Sequence, residues 1–181
     1  MKGAGNAEPR DMSPARRSAT AMLRHLFLPD WLALRGFPRA TLDAIEQAVR
    51  ESEALHSAEL RFVVEGSLDI PRLLHGVTSR ARATELFSSL RVWDTEENSG
   101  VLIYLQMVDR RIEILADRGV AARVAQTSWD AICRTMEVAL REGRHQESAL
   151  HGVREITALL ARHFPAGSRD ADELPDRPLL L

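Results

Sequence analysis

The stretch from Gly100 to Gly119, GVLIYLQMVDRRIEILADRG, constrains this chain more than any other. Val101 to Leu105 is a continuous apolar run rich in β-branched and aromatic residues, and Ile112-Glu113-Ile114-Leu115-Ala116 follows it within a few positions. Asp109-Arg110-Arg111 forms a charged elbow between them. A parallel crossover needs a dozen or more residues, so two runs this close predict an antiparallel hairpin.

The chain has 181 residues, 45% hydrophobic and 28% charged, a composition that suits one globular domain with tails. Lys2 is the only lysine, and 24 basic residues against 26 acidic ones leave a formal net charge of -2. That balance offers no bulk field for nucleic acid. The single cysteine, Cys133, excludes an intramolecular disulfide and a cysteine-rich metal site, and its apolar neighbours predict a buried thiol. No run approaches the ~20 apolar residues that span a bilayer, and the short stretch Leu23 to Leu28 is too polar for a signal-peptide core. A cytoplasmic protein is the expectation.

Residues 1–20 mix Gly, Pro, Ser and charges without periodicity and read as a disordered tail. Residues 21–37 form an amphipathic arm, with Leu23, Leu26, Phe27, Trp31, Leu32 and Leu34 beside Arg24, His25 and Arg35. Such an arm can pack on its own domain or dock on a membrane-associated partner. A domain over 38–165 follows, and residues 166–181 read as a C-terminal tail.

Within the domain, Leu42, Ile45, Val49 and Leu55 recur at helical spacing and predict a helix over about 39–56. Glu59 to Glu65 alternates, with Leu60, Phe62 and Val64 on one side, and predicts a strand. A helix over about 78–90 precedes the acidic loop Asp94 to Ser99 and then the hairpin. Helices over about 129–142, with Ser128 as N-cap and Gly143 as stop, and over 145–164 complete the set. The connection from strand to hairpin is long enough for a parallel crossover. The order therefore predicts an α/β fold, a three-layer α/β/α sandwich around a small mixed sheet containing the hairpin.

The carboxylates concentrate near the hairpin's open end. Asp94, Glu96 and Glu97 precede it, Asp117 follows it, and Glu65 joins them if the first strand exits toward that end. Hard oxygen ligands of this kind suit Ca²⁺ or Mg²⁺, whereas the plain alternative is a solvated acidic loop. Asp109 sits at the opposite, elbow end. The six histidines lack ligand spacing, and no nucleophile stands beside a base.

Several of these stretches resemble the TPM-domain family. They are Gly100-Val101-Leu102-Ile103, the Asp109-Arg110 elbow, Ile112-Glu113-Ile114 and Gly119. Flanking matches are Ser52 to His56, Glu59-Leu60-Arg61-Phe62, Glu142-Gly143-Arg144 and Ala161 to Pro165. Together they cover about 38–165 and are similar to the family's short soluble bacterial branch. The resemblance implies an α/β/α domain around a small mixed sheet. It also implies an accessory or binding module, with divalent-cation binding and a membrane-associated partner as expectations. A weak metal-dependent acid phosphatase is the alternative, because the family includes a thylakoid lumen acid phosphatase beside nematode receptor-modulating proteins.

Overall fold

The computed structural model describes residues 25, 27, 34–167 and 173–181. The expected tail at 1–20 and most of the arm at 21–37 lie outside them. Four strands form one mixed sheet in the order β3-β2-β1-β4: β1 (Glu59–Glu65), β2 (Gly100–Gln106), β3 (Arg111–Ala116) and β4 (Leu179–Leu180). The expected hairpin is the antiparallel pair β2–β3, in register from Val101↔Ala116 to Gln106↔Arg111. The expected crossover makes β1 and β2 parallel, from Glu59↔Gly100 to Glu65↔Gln106.

One face of the sheet carries α1 (Arg39–Glu53), α5 (Gln126–Arg141) and α6 (His145–His163). Their apolar stripes, including Ile45, Met136 and Ile156, bury Leu60, Phe62 and Val64 of β1 and Val101, Ile103 and Leu105 of β2. The other face carries α3 (Ser79–Ser89), whose Ala83 and Leu86 meet Val63, Leu102, Tyr104 and Leu115. Two short helices, α2 (Ile70–Leu74) and α4 (Arg118–Ala121), complete the connections. Helices thus cover both faces, and β1 and β2 are buried at every residue.

Two glycines are required by geometry. A Cβ on Gly100 would lie 1.8 Å from the Val92 carbonyl oxygen, so the loop can enter β2 only through glycine. Gly143 has φ 78 and closes α5, as expected from the sequence. Other boundaries differ. Helix α1 stops at Glu53, and Leu55, expected on its apolar face, is 57% exposed. Helix α5 begins at Gln126 after Ala125, without a side-chain cap, so Ser128 is not its N-cap. Val138, expected among the apolar contacts of that helix, points off the buried stripe and is 49% exposed.

The largest difference is at the C-terminus. Composition reads 166–181 as a tail, yet Leu179 and Leu180 pair in parallel with Val63 and Val64 and make β4. The pairing needs no strong local propensity, because β1 offers a ready edge and Leu174 enters the core beneath it. Glu53 sits under the same segment. Its Oε1 accepts from Leu60 N at 2.9 Å. Burial, with Glu59 and Asp176 close by, pushes its carboxyl up to about 9, so at neutral pH it is protonated.

The folded state therefore favours protonated Glu53, and this contribution is complete below pH 4.5 and fades as pH rises toward about 9. Glu53→Gln keeps the acceptor for Leu60 N without the titration. Its stability relative to wild type should rise steadily over that window in urea unfolding at stepped pH.

Candidate functional site

Parallel pairing of β1 with β2 decides which charged residues can meet. The entry end of β1 and β2 holds Glu59, Gly100 and, across the hairpin, Asp117, whose N–H donates to Gly100 O at 2.8 Å. The exit end holds Glu65, Gln106 and the turn at 107–110. Six residues of strand separate Glu59 from Glu65, about 20 Å. Glu65 therefore cannot join the acidic group at the open end of the hairpin.

The other four predicted ligands share that end but face different contacts. Asp117 caps α4, its Oδ1 accepting from Arg118 N at 2.7 Å, while its buried Oδ2 has no hydrogen-bond partner among the described residues. Glu97 accepts from Ser57 Oγ at 2.9 Å. Asp94 lies 3.7 Å from Arg91. The Glu96 N–H donates to Glu173 of the C-terminal segment at 3.0 Å. Asn98 joins the loop to the α4 turn, its carbonyl accepting from Gly119 N at 3.1 Å and its Oδ1 from Arg118 Nε at 2.8 Å. Among the described residues no three His, Cys, Asp or Glu side chains converge to hold a metal ion. Asp94, Glu96, Glu97 and Asp117 thus share the open end, and Glu65 stands apart from them at the other.

Glu65 instead belongs to a buried network at the exit end. Arg82 Nε and Nη2 donate to its Oε1 at 2.9 and 2.7 Å, and Tyr104 Oη donates to its Oε2 at 2.5 Å. Glu65, Arg82 and Tyr104 are 5%, 8% and 0% exposed. Burial, with the adjacent Glu65 charge, holds the tyrosine hydroxyl protonated. Nearby, His25 ties the arm to the hairpin turn. Its Nδ1 accepts from Leu68 N at 3.0 Å, so the Nε2 proton faces Asp109 Oδ1, also at 3.0 Å. Arg110 adopts φ 53 and donates to the Arg141 carbonyl rather than to a carboxylate.

The one cysteine is unsuited to nucleophilic work. Cys133 is buried on α5, and burial pushes its thiol up to about 12, with the Glu113 charge adding to the shift. Trp129 is buried and Trp93 half-exposed, while Trp31 lies outside the described residues.

The feature missed from sequence is a groove between α5 and α6. Arg134, Thr135, Val138 and Ala139 line one wall, and Arg144, Glu147, His151 and Arg154 the other. Arg144 is tied to Glu142 and Glu147. Arg134 and Arg154 form no ion pair or hydrogen bond among the described residues. A signal was present: Val138 recurs four residues after Arg134, off the buried stripe.

The model for the TPM domain matches residues 36–159. The chain belongs to the TPM-domain family. Its fold is similar to that of the BA42 protein of the psychrophilic bacterium Bizionia argentinensis, solved by NMR, at 26% identity and a TM-score of 0.69. That likeness covers 79% of this chain and 94% of BA42. The N-terminal domain of a P. gingivalis protein, also solved by NMR, shares the fold at 17% identity and a TM-score of 0.54, over 72% and 82% of the two chains. Among curated proteins none matches. Among the described residues of this TPM domain no helix is long and apolar enough to cross a membrane.

The buried network should behave as a unit. Tyr104→Phe removes one hydrogen bond and should cost about 1 kcal/mol. Glu65→Ala leaves Arg82 with Glu85 alone, at 2.9 Å, and Tyr104 Oη without its acceptor, and should cost about 3 kcal/mol, read from urea midpoints at neutral pH.

Proposed function

We propose that this TPM domain is a non-enzymatic binding module that docks an acidic segment of a partner protein in the groove between α5 and α6. The observation carrying this reading is the pair Arg134 and Arg154, two guanidiniums without partners among the described residues, beside exposed Val138. Unpaired guanidiniums take carboxylates in two-pronged hydrogen bonds, and an exposed valine adds apolar contact. Three arginines against Glu147 give the lining a positive balance in a chain that is net acidic. The arm at 21–37 extends the reading to a membrane-associated partner, since His25 anchors it while Phe27 is 73% exposed. A cytoplasmic location goes with that reading.

The probe is a synthetic peptide of alternating glutamate and leucine, titrated into isotope-labelled full chain. Shifts should centre on Arg134, Val138, His151 and Arg154. Arg134→Glu with Arg154→Glu should weaken binding about tenfold or more, and higher salt should weaken the wild type. Unchanged affinity in the double variant would remove the groove from the reading.

A narrower cation reading rests on Asp117, whose partnerless buried oxygen sits beside the loop carrying Asp94, Glu96 and Glu97. Millimolar Ca²⁺ should raise the melting temperature of the wild type and leave Asp94→Asn/Asp117→Asn unmoved; equal shifts in both would dismiss it. The family model carries the name TPM_phosphatase, which keeps hydrolysis as the alternative. Metal-dependent release of phenol from phenyl phosphate at mildly acidic pH is its measure, and turnover above buffer would replace the binding-module reading.

A further inference from the structure

The segment from Glu173 to Leu181 lies along the outer edge of β1, and its contacts are of an uneven kind. The ladder proper is short: Val63↔Leu179 and Val64↔Leu180, with Leu181 N donating to Val64 O at 3.0 Å and Gly66 N to Leu181 O at 2.8 Å. Upstream, polar clamps from the body of the domain replace it. Arg61 Nη1 donates to the carbonyls of Pro175 and Arg177 at 2.7 and 2.6 Å. Glu59 Oε2 accepts from Leu174 N at 3.0 Å. Arg50 Nε donates to Asp176 at 3.1 Å.

Two of these clamps are buried, Glu59 at 1% and Arg61 at 8% exposure, and both act on main-chain atoms. A buried arginine that holds two carbonyls two residues apart recognises an extended backbone more than any side chain. Side-chain selection falls to Leu174 in the core, Asp176 on Arg50, Arg177 on Glu46 at 3.0 Å, and the paired Leu179 and Leu180. Pro175 and Pro178 lower the cost of extending the segment and remove donors that the edge could not use. These are the elements of strand-addition recognition, in which a sheet edge supplies main-chain bonds and pockets choose alternate residues.

We propose that the outer edge of β1, clamped by Glu59 and Arg61, is a parallel strand-addition site for an extended segment of a partner protein, held in this structure by the chain's own C-terminal segment as an internal ligand. The partner segment matches that ligand: an apolar residue, an aspartate two positions on with an arginine next to it, and a pair of apolar residues three and four positions beyond the aspartate. The site is independent of the groove between α5 and α6, so either can fail alone.

The test uses the full chain with its internal ligand weakened, Leu174→Ala/Leu180→Asp, and a labelled peptide of sequence Glu173–Leu181 as probe. Saturable binding to this variant should be about tenfold or more tighter than to wild type, where the tethered copy competes. Val63 and Val64 amides should shift, and a scrambled peptide should not bind. Absence of binding to a variant whose spectrum shows it folded, or equal binding of the scrambled peptide, overturns the proposal. Hydrogen exchange on the wild type keeps the idea testable if the variant does not fold. Gly66 and Leu181 amides should exchange faster than those shared by β1 and β2; equal rates would make the segment an inseparable part of the sheet and overturn the site. Transfer of the segment between two copies of the chain, seen as a dimer, overturns the assignment to a different partner protein.

Discussion

Parallel pairing of β1 with β2, buried on both faces, is the constraint on which the rest of the structure depends. It places every residue of β1 out of water, including Glu59, Arg61 and Glu65, which alternate onto the same face as Val63. Buried charges are tolerated only with partners, so that face must supply them. It does so with three different devices: Arg82 and Tyr104 for Glu65, two carbonyls for Arg61, and the Leu174 N–H for Glu59. Helix α3 and the C-terminal segment are where they are because these partners are needed there.

The two faces consequently differ in chemistry. The face under α1, α5 and α6 is an apolar core of ordinary kind, closed by Met136, Ile156 and Leu160. The face under α3 is a smaller apolar cluster set among paired charges. Apolar burial is non-directional and forgiving of small changes in shape, whereas the paired charges demand specific partners at hydrogen-bond distance. The polar face thus specifies which segment may lie on β1, and the apolar face supplies most of the cohesion.

Charge on the outside is also divided. The acidic loop Asp94 to Ser99 occupies the entry end of the sheet and is drawn into contacts with Ser57, Arg91 and Glu173. The unpaired arginines gather instead on the outer helices, where the α5–α6 groove opens. The positive balance is confined to the lining of that groove, where Arg134, Arg144 and Arg154 stand against Glu147.

Much of the architecture was legible from residue order. Apolar runs of strand length, a charged elbow and amphipathic helices identify the hairpin, β1 and the four longer helices, since periodicity is a local property of the chain. The candidate site was legible only in part. The grouping of Asp94, Glu96, Glu97 and Asp117 near one end followed from the hairpin, whereas the end that Glu65 reaches was left open until the direction of β1 was seen. That direction is set by the crossover, and it sent Glu65 to the opposite end and into the hands of Arg82 and Tyr104. The C-terminal segment shows the same limit. Its prolines and charges carry no strand pattern, and it becomes β4 only because a buried arginine and an open edge await it. By itself the sequence determined the hairpin, β1 and the four longer helices; only the tertiary structure decided β4 and which charges meet, because pairing depends on distances between residues far apart in the chain.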